Sequence, residues 1–238
     1  MEINMSDGHE GCYVKVNDLT VYYEESGVGE PLILLHGGGL TSEIWKPQRS
    51  ILSKHFQVFT PDCRGHGCTN NPLGTLSYRV LADDLDGFIK KLNLDKPFIC
   101  GWSMGASIAL EFGMRFPEKA KALICCGGGP ALTELEIQEI IQDEEKLLLD
   151  SKTEEVMRSK HSHIYGEAYW KTLVKHLHQL LVEGYSEGKC SQIVIPTLIM
   201  CGHEMRRRIR QILYGLCASA LASMLLQPPL FQNLRSIR

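Results

Sequence analysis

The sequence lacks the features that mark membrane-spanning, secreted or nucleic-acid-binding proteins. No early stretch is apolar enough to span a bilayer. The polar, acidic segment 1–10 has neither the basic nor the apolar region of a secretory signal. Neither sign of charge is in excess, because 25 Lys and Arg stand against 28 Asp and Glu, for a net charge of −3. We therefore expect a cytoplasmic protein with no nucleic-acid or membrane partner.

Cysteine is present but follows no disulfide or metal-binding pattern. The nine cysteines are odd in number and include no C-x-x-C pair, and several fall within apolar runs (Cys100, Cys125, Cys126, Cys201). Free thiols in a reducing compartment fit this distribution better than a disulfide framework. The 238 residues, 44% of them hydrophobic, are enough to bury one full core.

The most informative stretch is Gly101-Trp102-Ser103-Met104-Gly105. An apolar run (97–100) precedes it and a helix-like run (106–112) follows, so the pattern G-x-S-x-G stands between a strand and a helix. In that setting it is typical of a nucleophile elbow, a turn so sharp that its flanking positions require glycine. The alternative is a chance Gly-Ser-Gly turn, since the bare pattern is weak without its context. We interpret Ser103 as a candidate nucleophile.

Two further loops follow predicted strands upstream of the elbow. His36-Gly37-Gly38-Gly39 comes after an apolar strand and is typical of a turn whose N–H groups point at a substrate oxygen; a plain strand-to-helix turn is the alternative. In the loop Asp62-Cys63-Arg64-Gly65-His66-Gly67, the acid and the histidine lie within one tight turn. We therefore interpret Asp62, Arg64 and His66 as a structural network and His36 as a turn-stabilising residue, not as catalytic groups.

Hydrophobic periodicity predicts an α/β fold. Alternating residues predict a hairpin at 12–16 and 19–24, and continuous apolar runs predict buried strands at 32–35, 56–60, 97–100, 120–126 and 193–200. Helical spacing predicts helices at 44–52 and 78–92 and from 106 to about 115. In the second of these, Asp83, Asp84 and Asp86 are expected on the polar side.

Strand patterns vanish between Gly127 and Ile193, where the chain is charged and helical in its spacing. We interpret this stretch as a helical lid inserted between two strands. Its histidines form two pairs spaced i,i+2, which do not share a helix face: His161, His163, His176 and His178. We therefore expect surface or lid residues, with no metal site and no cofactor.

Taken together, the motifs HGGG at 36–39, DCRGHG at 62–67, GWSMG at 101–105 and PTLIMCG at 196–202 resemble the α/β-hydrolase superfamily, in family order. The resemblance covers residues 11–204 and is nearest to small cytosolic esterases, enol-lactonases and carbon–carbon bond hydrolases. It implies a mostly parallel central sheet with flanking helices and a lid. It also implies Ser103 as nucleophile, with the backbone N–H groups of Gly38 and Met104 as the oxyanion hole.

The resemblance fails near the C-terminus. The family order Ser…Asp/Glu…His places the acid at Met205, with Glu204 as a possible acid beside it, but no histidine follows His203. A shift of reading frame restores an aspartate codon at the acid position and permits a histidine codon across Ser236 and Ile237. We therefore expect an aberrant or frameshifted tail from about residue 205, with the family's last strand and helix missing; a real, divergent tail is the alternative.

The expected organisation has four parts: a core at 1–129, a helical lid at 130–190, a core strand at 191–204 and an atypical tail at 205–238. The expected function is that of a serine hydrolase acting on a small ester, lactone or C–C bond substrate through an acyl-enzyme. Loss of the acid and the histidine is expected to remove most of the hydrolase activity of this chain. A non-catalytic ligand-binding protein that keeps the pocket is the alternative. The sequence does not indicate an oligomeric state.

Overall fold

A single mixed sheet organises the part of the chain that a computed structural model describes, namely residues 11–128, 134–184 and 190–200. Its strands are β1 (Cys12–Val16), β2 (Leu19–Ser26), β3 (Glu30–Leu35), β4 (Phe56–Pro61), β5 (Phe98–Trp102), β6 (Ala122–Cys126) and β7 (Thr197–Met200). The spatial order is β1-β2-β4-β3-β5-β6-β7. β2 pairs antiparallel with β1 and β4, and the remaining pairs are parallel. The predicted mostly parallel sheet is confirmed.

Among the described residues, six α-helices accompany the sheet: α1 (Lys46–Leu52), α2 (Tyr78–Lys91), α3 (Met104–Arg115), α4 (Glu134–Leu148), α5 (Ser151–His161) and α6 (Tyr169–Glu183). Short 3-10 helices precede α1 at Ser42–Trp45 and β7 at Cys190–Gln192. In the chain, α4, α5 and α6 fall between β6 and β7, and they pack against one another. We call these three helices the helical insertion.

The helices cover both faces of the sheet, as the continuous apolar strands require. On β3, Ile33 and Leu35 belong to the large core that α2 and α3 complete. Their neighbours Leu32 and Leu34 face the opposite side, where Leu52 of α1 and Trp45 cover them. Since side chains alternate along a strand, β3 is buried on both faces. The turn Gly37–Gly39 follows directly after its C-terminal end.

One expectation about these elements is wrong in part. The strand predicted at 193–200 begins only at Thr197, because Pro196 has no N–H to donate to a ladder. Ile193 and Ile195 are nevertheless buried in the α3 side of the core, which explains their apolar character. The predicted missing last strand, the tail at 205–238 and Glu204 lie outside the described residues.

The polar side of α2, on which Asp83, Asp84 and Asp86 were expected, is partly buried. Asp84 is only 8% exposed and Asp86 only 6%. Asp86 binds Lys90 and Lys119, each at 2.6 Å, and Asp84 binds Arg64. Helical periodicity separated these acids from the apolar stripe, but loops packed over the helix bury them.

Candidate active site

Ser103 stands at the apex of a tight turn between β5 and α3. Its backbone has φ 53° and ψ −116°, a conformation that costs a non-glycine residue roughly 1–3 kcal/mol. Its side chain is exposed, and its N–H donates to the carbonyl of Cys126 on β6 at 2.8 Å. The strand, turn and helix predicted around this serine are therefore confirmed.

The glycines that flank the serine are required by close backbone approach. A Cβ at Gly101 would collide with the carbonyl of Gly105, and a Cβ at Gly105 would collide with the carbonyl of Leu35. Neither obstacle is a side chain that could rotate away, so any larger residue would displace the backbone of the turn. This contact is the physical reason for the G-x-S-x-G spacing.

The turn Gly37–Gly39 lies directly beside the elbow. A Cβ at Gly37 would stand 3.4 Å from Ser103 Cβ and 3.4 Å from Trp102 Cε3. Gly38 is exposed, whereas Met104, the first residue of α3, is buried. The structure thus brings the two predicted oxyanion positions onto the two turns that meet at Ser103.

Two core histidines hold the loops around this site through their backbones. His36 Nδ1 lies 2.8 Å from the carbonyl of Gly37, and its Nε2 accepts from Cys63 N–H at 2.9 Å. His66 Nδ1 lies 3.0 Å from the carbonyl of Arg64, and its Nε2 accepts from Gly39 N–H at 3.2 Å. Each ring therefore carries its proton on Nδ1 and bridges one carbonyl and one N–H.

A third histidine, His161 at the end of α5, makes the same kind of bridge from the helical insertion. Its Nδ1 accepts from Gly67 N–H at 3.1 Å and its Nε2 donates to the carbonyl of Gly39 at 3.0 Å. His161 was expected to be a surface or lid residue; it lies in the helical insertion but not at the surface, because it is only 2% exposed. The i,i+2 spacing could not reveal this contact, because its partners lie far away in sequence.

All three bridging histidines are held neutral. Burial lowers the pKa of His36 to about 4 and the pKa of His161 to about 4. Burial, with the neighbouring His36 and His161, also lowers the pKa of His66 well below its usual value. A protonated ring would present a donor to a backbone N–H that is itself a donor, so the bridges require the neutral form. None of these rings has a nitrogen left to serve Ser103.

The loop that follows β4 is fixed by Asp62 and Arg64, as the sequence predicted. Asp62 accepts from Ser42 N–H at 2.7 Å and from Cys68 N–H at 2.9 Å, while burial raises its pKa. Arg64 donates to Asp84 at 2.7 and 2.8 Å and to Asp18 at 3.1 and 2.7 Å. These residues form a structural network, as expected, and do not approach the serine as catalytic partners.

Side chains of the helical insertion reach the glycine turn. A Cβ at Gly38 would lie 3.1 Å from Leu177 Cδ2, and one at Gly39 would lie 3.4 Å from Met157 Cε. Sequence reasoning did not single out Leu177 or Met157, whose only signal was an apolar position at helical spacing. Another histidine of the insertion, His178, lies 3.2 Å from Glu144.

Within residues 11–128, 134–184 and 190–200, no group of three or more His, Cys, Asp or Glu side chains could hold a metal ion. Within the same ranges, no helix is both long and apolar enough to cross a bilayer.

Comparison with known proteins agrees with the fold and the motif order. The chain belongs to the α/β-hydrolase fold family, whose model matches residues 30–179. It is 33% identical over 131 residues to the (E)-2-((N-methylformamido)methylene)succinate hydrolase of Acinetobacter baylyi, covering 55% of this chain and 50% of that protein. It is 31% identical over 127 residues to the pimeloyl-(acyl-carrier protein) methyl ester esterase of Nitrosospira multiformis, covering 51% and 47%.

Solved structures show the same fold. The enol-lactonase from Burkholderia xenovorans LB400 superposes with a TM-score of 0.62 at 18% identity, covering 81% of each chain. These relatives are named hydrolases, which agrees with the expected enzyme class. In sequence, the chain spans about half the length of the curated relatives it matches.

Proposed function

We propose that this protein is a serine hydrolase that acts on a small ester, lactone or C–C bond substrate, with Ser103 as nucleophile. The observation that supports it most is the exposed Ser103 at φ 53° beside the turn Gly37–Gly39. A serine held in a costly conformation, at a turn that admits no Cβ on either flank, is expected where function needs the hydroxyl at that point. The small-molecule substrate would bind beneath the helical insertion, which would act as a lid.

The proposed reaction passes through an acyl-enzyme. Ser103 Oγ attacks the carbonyl carbon and gives up its proton to solvent water, and the N–H groups of Gly38 and Met104 stabilise the oxyanion that forms. The N-terminus of α3, which begins at Met104, adds favourable partial charge at the same point. Collapse of the adduct expels the leaving group, which takes up a proton from water. A second water then hydrolyses the acyl-serine, which releases the acid and restores the serine hydroxyl. No cofactor is needed for these steps.

This reaction needs a general base to take the proton of Ser103, and none of the three bridging histidines can serve as one. His36, His66 and His161 each use both ring nitrogens on backbone groups. The possible acid Glu204 lies outside the described residues, and the sequence has no histidine after His203. We therefore expect slow chemistry at Ser103 and near-background ester turnover, because loss of a triad member costs about 10⁴-fold or more.

The experiment treats the full chain with a fluorophosphonate and locates the adduct by peptide mass spectrometry. We expect slow labelling of Ser103, none in Ser103→Ala, and labelling in Ser159→Ala at the same slow rate as in the parent chain, since Ser159→Ala removes an exposed hydroxyl that hydrogen-bonds within α5. Labelling of Ser103→Ala equal to that of the parent chain would refute the assignment. Fast hydrolysis of a p-nitrophenyl ester would instead refute the loss of the base.

A non-catalytic ligand-binding role is the second candidate. It is favoured by the commitment of the three bridging histidines to backbone groups, which leaves the serine without a base among them. In that case Ser103→Ala would bind a p-nitrophenyl ester as tightly as the parent chain, with neither protein hydrolysing it or accepting a phosphonate. Phosphonate labelling of Ser103 separates the two candidates, because neither predicts fast hydrolysis of the ester.

A further inference from the structure

The turn Gly37–Gly39 needs external support to keep one conformation. Three successive glycines lose more backbone freedom on ordering than any other residues would. Gly39 itself has φ 69°, and within the turn Leu40 N–H donates to the carbonyl of Gly37 at 3.2 Å. That bond, together with the one from His36 Nδ1 to the same carbonyl, holds Gly37, but neither of them holds the N–H or the carbonyl of Gly39.

The missing support comes from two histidines that hold Gly39 from opposite sides. His66 Nε2 accepts from Gly39 N–H at 3.2 Å, and His161 Nε2 donates to the carbonyl of Gly39 at 3.0 Å. The two rings stand 5.6 Å apart at an interplanar angle of 83°. His66 belongs to the loop after β4, whereas His161 belongs to the helical insertion, so half of this support arrives only when the insertion docks.

We propose that His161, which belongs to the helical insertion, is a positioning residue that fixes the conformation of the turn Gly37–Gly39. The site of Ser103 is therefore complete only when the insertion is docked. The inference rests on the proposed function. His161 contacts no reacting atom; it acts through Gly39, and its bond to Gly67 N–H fixes the ring at the required point. Met157 and Leu177 close over the same turn and add apolar contact.

The histidine ring can be replaced by two amides that each keep one of its contacts. A Gln amide reaches about as far as Nε2 and can still donate to Gly39, whereas an Asn amide reaches about as far as Nδ1 and can still accept from Gly67. His161→Ala removes both contacts. Tyr165→Phe is the matched control, because Tyr165 Oη accepts from Asn71 N–H at 2.8 Å and joins the same loop to the insertion without touching the glycine turn.

The first measurement is hydrogen exchange of the full chain at pH 7, resolved to peptides covering 37–40 and 64–71. We expect the 37–40 amides to exchange roughly tenfold faster in His161→Ala and His161→Asn, the size of one lost buried hydrogen bond. His161→Gln should stay close to the parent chain at 37–40. Tyr165→Phe should speed exchange at 64–71 alone.

The second measurement is the rate of fluorophosphonate labelling at Ser103, which should fall in His161→Ala and His161→Asn and recover in His161→Gln. Unchanged exchange at 37–40 in His161→Ala would overturn the inference, as would an equal effect of Tyr165→Phe there. A parent chain that never labels refutes the proposed function instead, and exchange at 37–40 still decides the role of His161. The amide variants keep the test open if His161→Ala does not fold.

Discussion

Replacing Arg64 by methionine is expected to be among the most destabilising single changes in the described core. Its side chain is 1% exposed and donates in a bidentate manner to Asp84, whose side chain is 11% exposed. The same guanidinium donates to Asp18, whose side chain is 36% exposed. Methionine keeps much of the aliphatic volume, so the main effect of the change is the loss of charge and of donors.

The size of the stability loss follows from the two carboxylates, Asp84 and Asp18, that remain when the arginine is removed. Burial already raises the pKa of Asp84, and the hydrogen bond from Arg64 opposes that rise. Without the arginine, Asp84 is a buried carboxylate with no cation, and breaking a buried pair in this way costs about 3–5 kcal/mol. Asp18 contributes less, because an exposed partner returns to water at a cost of about 1 kcal/mol or below.

Urea unfolding at pH 7, followed by tryptophan fluorescence, measures this loss. Arg115→Met is the matched control, since Arg115 binds Asp83 at 2.8 Å on the surface and should cost about 1 kcal/mol or less. The double variant Arg64→Met/Asp84→Leu should regain most of the loss, because it leaves no unpaired buried carboxylate. A loss in Arg64→Met no larger than in Arg115→Met, or no recovery in the double variant, would refute this reasoning.

Two further predictions concern pH and the strained serine. Because the pKa of His36 and that of His161 are lowered to about 4, the unfolded chain binds more protons below about pH 6.5. Stability should therefore be fully present above that pH and fall by roughly 2 kcal/mol per histidine between pH 7 and 5, partly offset by the raised pKa of Asp62; an unfolding free energy that stays flat over this range would contradict it. Ser103→Gly should gain roughly 1 kcal/mol by relieving the positive φ while abolishing phosphonate labelling; a loss of stability in urea would show that the turn is not strained.

Much of the fold was predictable because its signals are local. Continuous apolar runs predicted the buried strands, and glycine spacing predicted the elbow, since a Cβ at Gly101 would collide with Gly105, four residues along the chain. The collision at Gly105 is with Leu35 of β3, a distant contact that the spacing alone does not show. A local pattern gave a wrong boundary where it contains a proline. The apolar run at 193–200 predicted a strand over its whole length, but Pro196 delays the start of the strand until Thr197.

The support of the candidate site was less predictable, because it depends on contacts between distant segments. His161 reaches Gly39 across 122 residues, and its sequence neighbours give no sign of that partner. Asp84 lies on the polar side of α2 by periodicity, yet it is buried by Arg64, 20 residues away. Sequence patterns report which face of an element is apolar, but not which loop will cover its polar face.

The placement of β1 to β6 within the first 126 residues has a consequence for synthesis on the ribosome. The hydrogen bond from Ser103 to Cys126 can close once residue 126 leaves the exit tunnel, before the helical insertion has emerged from it. During that interval β6 is an unpaired edge strand, because its neighbour β7 begins only at Thr197, and such an edge invites association with other nascent chains. At a synthesis rate of about 5–20 residues per second, the edge stays open for several seconds, which is time enough for a chaperone to bind it.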